Sequence, residues 1–173
     1  MEVYDCIRRR VTVRKFRPDE VSDAVVARLL QAGRWAPSSR NQQPWHFIVI
    51  RDCGTLEAIG RIATSGSFIA SVPLGIAIVM EATADAPELD AGRALQQMEL
   101  MAWAEGMGTC FIGFDQEQES RVKDLLGVPG DMRLVTVLPL GYRAATGARP
   151  KRRNPMSAMA HSEGFGTAYT PAD

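Results

Sequence analysis

Two basic clusters and one polar loop carry the side chains best suited to chemistry. From Arg8 to Arg17 the chain has six basic residues (Arg8, Arg9, Arg10, Arg14, Lys15 and Arg17) and no acid. From Arg143 to Arg153 it has five (Arg143, Arg149, Lys151, Arg152 and Arg153), again without an acid. In the first cluster Arg10, Thr12 and Arg14 alternate with Val11 and Val13. A period of two describes an extended segment with Arg10, Thr12 and Arg14 on one side. Two guanidiniums flanking a hydroxyl suit a phosphate, because Arg donates bidentately and Thr adds a donor. The same pattern also describes an edge strand guarded by charge. Clusters at opposite ends of the chain either converge on one anion or form two unrelated solvated faces.

The polar loop is APSSRNQQPWHF, Ala36 to Phe47. Pro37 and Pro44 bracket it, and each fixes its own φ and restricts the residue before it. Between them Ser38, Ser39, Arg40, Asn41, Gln42 and Gln43 all carry hydrogen-bonding groups. Rigid polar loops at strand ends are where small-molecule sites are built. A capped connection whose backbone is satisfied by Ser and Asn is the plainer alternative. His46 follows Trp45 at the strand start and reads as packing or capping rather than as a proton donor.

The elements that must position these groups follow from periodicity. Val3 to Ile7 opens a short helix, and Pro18 to Ser22 opens another with the apolar stripe Val25, Val26, Leu29 and Leu30. A strand runs from Phe47 to Ile50, and Leu56, Ile59 and Ile62 mark a short helix. Leu74 to Met80 is a continuous apolar run, expected as a buried central strand. Asp90 to Gly106 is expected as a long helix, apolar over much of its circumference, with Met98 and Met101 as core filling. Thr109 to Phe114 is expected as a strand, Asp115 to Leu126 as a helix, and Leu134 to Leu138 as a strand closed by Pro139 and Gly141. Residues 144–173 show no periodicity and are expected as an extended arm, tied down across a second subunit.

Composition narrows the function classes. The 173 residues have 46% hydrophobic and 23% charged content, with zero formal net charge, as expected for one globular domain spanning 1–173. Zero net charge gives no reason to expect a nucleic acid or an anionic membrane as partner. Three scattered cysteines and two histidines leave little for a zinc site, a disulfide framework or a Ser-His-Asp triad. No apolar run approaches the ~20 residues of a membrane helix, and the first residues lack a signal-peptide core. A reducing cytoplasm is the expected location.

Four separated pieces together resemble the flavin-dependent nitroreductase family. RVTVRKF (Arg10 to Phe16) is similar to the family's Arg-x-Ser-x-Arg/Lys-x-Phe opening. APSSRNQQPWHF is similar to its Ala-Pro-Ser-x-x-Asn-x-Gln-Pro-Trp signature. DAGRALQQMELMAWAEGMGTCFIG (Asp90 to Gly113) resembles its Asp-Ala-Gly helix and Gly-x-Gly-Thr-Cys-x-x-Gly turn, and PLGYR with PKRR (Pro139 to Arg153) its closing elements. The resemblance implies an α+β fold with a central mixed, mostly antiparallel sheet flanked by helices. It implies an intertwined homodimer with an extended C-terminal arm and one FMN in each of two sites lined by both subunits.

Residue by residue, the resemblance places Arg10, Val11 and Thr12 at the flavin phosphate, joined by Lys151 and Arg153. Val11 replaces the second basic residue common there, so one phosphate contact is expected to be missing. Arg14 matches the cation near the pyrimidine edge. Pro37, Ser38, Ser39 and Asn41 match the loop that meets the isoalloxazine across the interface. Ile112 and Gly113 match the turn whose N–H faces N5. The implied activity is hydride transfer from NAD(P)H through FMN to a nitroaromatic, quinone or similar small acceptor by a ping-pong order, with no side chain as nucleophile. Dehydrogenation, dehalogenation or flavin destruction on the same scaffold, or flavin binding without catalysis, are the alternatives. The chain is short for the family. Residues 54–91 leave no room for the helical excursion of larger members, and no pyrimidine-reading polar residue stands out between Thr64 and Ser71. A more open site with weaker size discrimination is expected.

Overall fold

The computed structural model describes residues 2–144 and 151–170. Its core is a four-stranded sheet in the order β1-β2-β4-β3, formed by β1 (Trp45–Ile50), β2 (Leu74–Glu81), β3 (Met107–Thr109) and β4 (Met132–Tyr142). All three ladders are antiparallel. The sheet's mixed character rests on one isolated parallel bridge, Thr12 to Thr109.

β2 explains the layering. Every residue from Leu74 to Met80 is buried, as a central strand covered on both faces requires. Leu74, Ile76, Ile78 and Met80 pack with α2 (Asp23–Arg34) and α4 (Pro87–Ala104), through Leu29, Ala94 and Met98. Ala77 and Val79 point the other way, into a cluster with α3 (Cys53–Ile62) and α5 (Gln116–Leu126). Two helical layers thus sandwich the sheet because side chains alternate across it. The short helix α1 (Val3–Arg9) lies against α4, largely exposed except at Cys6.

Local sequence sets the helix ends. Asp115 caps α5, accepting the Gln118 N–H at 2.9 Å while the Gln118 side chain accepts the Asp115 N–H at 3.1 Å. α4 opens with Pro87 in its first turn and ends at Ala104, and Gly106 just beyond its cap supplies the left-handed φ of +79° expected of a glycine there.

Two strand expectations need correction. The strand expected at Thr109 to Phe114 is β3, which ends at Thr109. Thr109 pairs with Leu140, so the next pair would set Cys110 against Pro139, which has no N–H to give the ladder. β4, in contrast, runs through Pro139 and Gly141 to Tyr142, because its pairing with β2 continues at Gly75 and Leu74. β4 also carries a bulge. Ile78 pairs with Thr136 and Val79 with Leu134, leaving Val135 out of register. Such bulges re-aim side chains next to sites, and Thr136 is re-aimed here. Its hydroxyl donates to the Ile112 carbonyl at 2.8 Å and accepts the Ile112 N–H at 3.4 Å.

Of the arm expected from Ala144 onward, residues 145–150 and 171–173 lie outside the described residues. Its described part, 151–170, is exposed and irregular apart from a 3-10 turn at Met156–Ala158 and a bridge between His161 and Ala168.

Candidate functional site

Residues Arg10 to Phe16 run beside β3. The Val13 N–H donates to the Thr109 carbonyl at 2.9 Å, and Val13 is buried while Thr12 and Arg14 are exposed. The close approach depends on Gly108, where an added Cβ would stand 2.5 Å from the Val13 Cβ. The expected alternation therefore holds over Thr12, Val13 and Arg14, whereas Arg10 and Val11 are both half-buried and Arg10 reaches inward to Glu99.

The two basic ends do converge. Arg10, Val11, Lys151 and Arg153 line one cleft of about 980 Å³, together with Gln96 and Leu100 of α4. Lys151 Nζ donates to the Ile7 carbonyl at 3.2 Å, which ties the arm to the end of α1. Burial, and then repulsion from Arg10 and Arg153, hold the Lys151 ammonium below the usual lysine value. A cleft whose cations destabilise one another fits a bound anion, and a phosphate's size and charge suit it. Arg149 lies outside the described residues. Arg143 takes no part, since its guanidinium lies 3.7 Å from the centre of the Trp103 ring.

Arg14 sits close to Cys110, the first residue of the turn that leads to Ile112 and Gly113. Burial pushes the Cys110 thiol up, Arg14 draws it down, and the Glu99 carboxylate raises it. Ile112 is buried, and its N–H is directed at Thr136. Gly113 is exposed, and its N–H has no hydrogen-bond partner among the described residues. Of the two turn residues expected to face N5, Gly113 is thus the one with an available donor.

The Pro37 to Asn41 loop lies elsewhere in the same chain. Pro37 and Asn41 are exposed, while Ser38 and Ser39 are half-buried. The fully buried Asp90 accepts the Ser39 N–H on both oxygens, at 3.0 and 3.2 Å, and the Arg93 guanidinium at 2.9 Å. Ser38 Oγ accepts the Gln43 N–H at 2.9 Å, and Gln42 Oε1 accepts the Asp85 N–H at 3.0 Å. Arg40, Asn41 and Gln43 have φ of 49°, 56° and 53°. Three non-glycine residues in the left-handed region are strain of the kind held at functional sites by surrounding structure.

The sequence reading missed Glu99. It is buried in α4, and its Oε1 accepts the Thr109 hydroxyl at 2.9 Å and lies 3.5 Å from Arg10 Nη1. The signal was present: Glu99 shares a helical stripe with Ala91, Leu95 and Ala102, an acid among apolar neighbours. Asp90 and Glu99, which anchor the loop and Arg10, are nine positions apart on α4, a rise of about 14 Å. Arg10, with Lys151 and Arg153, thus lies by Glu99 and Leu100 in the C-terminal half of α4 and the Ser39 backbone by Asp90 near its start, while Thr12 and Arg14 do not line that cleft and Ile112 packs on the other face of the sheet. His46 is exposed, 3.7 Å from Glu81, and lines a separate cleft with Ile48 and Val79. Among the described residues no cluster of metal-ligating side chains occurs, and no helix is long and apolar enough to cross a membrane.

Fold and cleft together describe an α+β protein with a basic cleft beside its sheet. The chain belongs to the nitroreductase family, whose model matches residues 7–81 and 63–142. A protein of Methanothermobacter thermautotrophicus, provisionally named an NADH dehydrogenase/NAD(P)H nitroreductase, is 28% identical over 150 residues, covering 83% of this chain and 78% of that protein. An iodotyrosine deiodinase of Thermotoga neapolitana is 22% identical over 165 residues, covering 81% of this chain and 88% of the other. An FMN-dependent nitroreductase of Clostridium difficile shares the fold, with a TM-score of 0.86 over 94% of this chain and 99% of that one at 24% identity.

Lys151 gives the site a pH signature. A bound phosphate stabilises the ammonium, so binding favours the protonated form. Phosphate affinity is then full below the lowered Lys151 value and falls as pH rises through it. The ratio of FMN to riboflavin affinity is expected to decline at a pH where an ordinary lysine is still charged, and Lys151→Arg to flatten that decline. Fluorescence titrations of both ligands across alkaline pH measure it, and a flat ratio in the parent protein counts against a phosphate at Lys151.

Proposed function

We propose that this chain is an FMN-dependent oxidoreductase that passes electrons from NAD(P)H to a nitroaromatic, quinone or related small acceptor in ping-pong order. The observation that carries the reading is the meeting of Arg10, Lys151 and Arg153 from opposite ends of the chain in one cleft. These residues, with Thr12, would hold the phosphate. Arg14 would set a positive charge beside the flavin ring, where it favours the reduced, more negative state. The Gly113 N–H would orient the ring edge. Bound FMN supplies the two-electron chemistry, and the protein supplies position and charge.

Two subunits complete the site in this reading. The Ser38 to Asn41 loop lies about 14 Å along α4 from the Arg10 anchor, so a second copy is the natural source of a loop over the same flavin. An apolar cleft of about 570 Å³ lined by Val3, Cys6, Ala32, Trp35, Leu100 and Met101 supplies surface for that contact. Trp35, Val3 and Tyr4 are each at least 70% exposed in the single chain, which marks this face for burial.

An absorbance spectrum of the purified protein, followed by anaerobic NADH and then NADPH, tests the proposal. A flavin spectrum that bleaches within seconds is expected. A colourless protein that takes up no added FMN would overturn it. The likeness to a deiodinase supports a second reading, reductive dehalogenation. Halide release from an iodinated phenol under anaerobic turnover separates the two.

A further inference from the structure

A buried carboxylate stands behind the Arg10 side of the basic cleft. Glu99 lies in the C-terminal half of the 18-residue helix α4, with 9% of its side chain exposed. Its Oε1 is fixed by the Thr109 hydroxyl at 2.9 Å and meets Arg10 Nη1 only at 3.5 Å, the long limit of a hydrogen bond. The Arg10 side chain is itself 22% exposed. Arg10 is the cation that meets this carboxylate, and it shares the cleft with Lys151 and Arg153. We propose that Glu99 is the internal counter-anion of Arg10, and that Arg10 turns from Glu99 to the cofactor phosphate on binding, so that Glu99 sets the affinity of the phosphate site. This rests on the flavin reading above for the identity of the phosphate's carrier.

The physical argument has two sides. Without an anion, Arg10 is partly buried beside Lys151 and Arg153, and a nearby carboxylate offsets their repulsion. With a phosphate present the same carboxylate repels it and competes for Arg10. A long single contact is suited to exchange, because little geometry is lost when Arg10 turns outward to a bidentate acceptor. The Thr109 hydroxyl keeps the carboxylate in place while Arg10 moves. Glu99 is thus a positioning residue that acts through Arg10.

Glu99→Gln keeps the shape and the acceptor for Thr109 while removing the charge. Three expectations follow from the exchange. The variant melts at a lower temperature than the parent in phosphate-free buffer. Inorganic phosphate at about 50 mM raises its melting temperature more than it raises the parent's. FMN binds roughly fivefold tighter at low salt while riboflavin is unchanged, as removal of one like charge near a phosphate requires. Glu99→Asp, which keeps the charge, stays within about twofold of the parent for FMN. Equal loss of FMN and riboflavin affinity in Glu99→Gln would reduce Glu99 to a packing residue and overturn the proposal. Loss of FMN affinity alone would overturn it too, since Glu99 would then orient Arg10 rather than compete for it. If no variant binds any flavin but Glu99→Gln still gains more from inorganic phosphate, the exchange stands and the flavin reading falls. Should Glu99→Gln not fold in either buffer, Arg10→Gln reads the pair from the other side. It must then lower the phosphate-free melting temperature, and an unchanged value overturns the proposal.

Discussion

Replacing Lys151 and Arg153 together by alanine is expected to weaken FMN binding by roughly 10²–10⁴-fold. A hydrogen bond to a charged group contributes about 1.5–3 kcal/mol, and two such contacts to one phosphate would be lost. Riboflavin, which lacks the phosphate, is expected to bind the variant and the parent alike. The fold is expected to survive. The Lys151 ammonium is disfavoured by burial and by Arg10 and Arg153, so its removal relieves repulsion. Two exposed contacts are lost on the protein side, Lys151 with the Ile7 carbonyl at 3.2 Å and Arg153 with the neighbouring Arg152 carbonyl at 2.9 Å. A melting temperature at or slightly above the parent's, together with a collapsed FMN affinity, is the combined signature. Isothermal titration with both ligands and a thermal melt measure it. An FMN affinity within threefold of the parent would mean that the two ends of the chain meet for some other reason.

The same residues show how far the sequence could be read. The alternation of Arg10, Thr12 and Arg14 against Val11 and Val13 was legible over Thr12, Val13 and Arg14, where exposure follows period two, but not at Arg10 and Val11, which are both half-buried where they line the cleft with the arm. The central position of β2 was legible from an apolar run without alternation. Convergence of the basic ends was left open by pattern alone and needed the resemblance, since charge runs do not encode what lies across the fold. The end of β3 was illegible for a related reason. It depends on Pro139, thirty positions from Thr109 in sequence but adjacent in the sheet. Glu99 was visible as an acid in an apolar stripe, yet its partner Arg10 lies 89 positions away. Asp90 was read only as part of a motif, and its role as the anchor of the Ser39 backbone appears once the loop's direction is known.

Asp90 bears the second large prediction. Asp90→Ala is expected to destabilise the protein by about 3 kcal/mol, a fall of roughly 6–12 °C in melting temperature for a chain of this size. The carboxylate is fully buried and holds three contacts, two from the Ser39 N–H and one from Arg93. Its removal leaves the Ser39 N–H without its acceptor and the Arg93 guanidinium without its partner, and the cost of such orphaned groups exceeds that of the bonds themselves. The loss does not end there. Arg40, Asn41 and Gln43 stay in the left-handed region only while the surroundings hold them, and each costs about 1–2 kcal/mol relative to ordinary backbone. With Asp90 gone, the remaining side-chain ties are Gln43 to Ser38 and to the Asn41 carbonyl, and Asp85 to Arg40 and Gln42, all of them exposed. The loop is then expected to open locally before the rest of the molecule unfolds. Limited trypsin digestion should cut after Arg40 in Asp90→Ala well before it cuts the parent there. Chemical denaturation should show the lost stability, and Asp90→Asn should fall between the two, since one amide oxygen can still accept the Ser39 N–H. A parent-like melting temperature with unchanged cleavage at Arg40 would mean that the strain in this loop is held by its own polar side chains and not by α4.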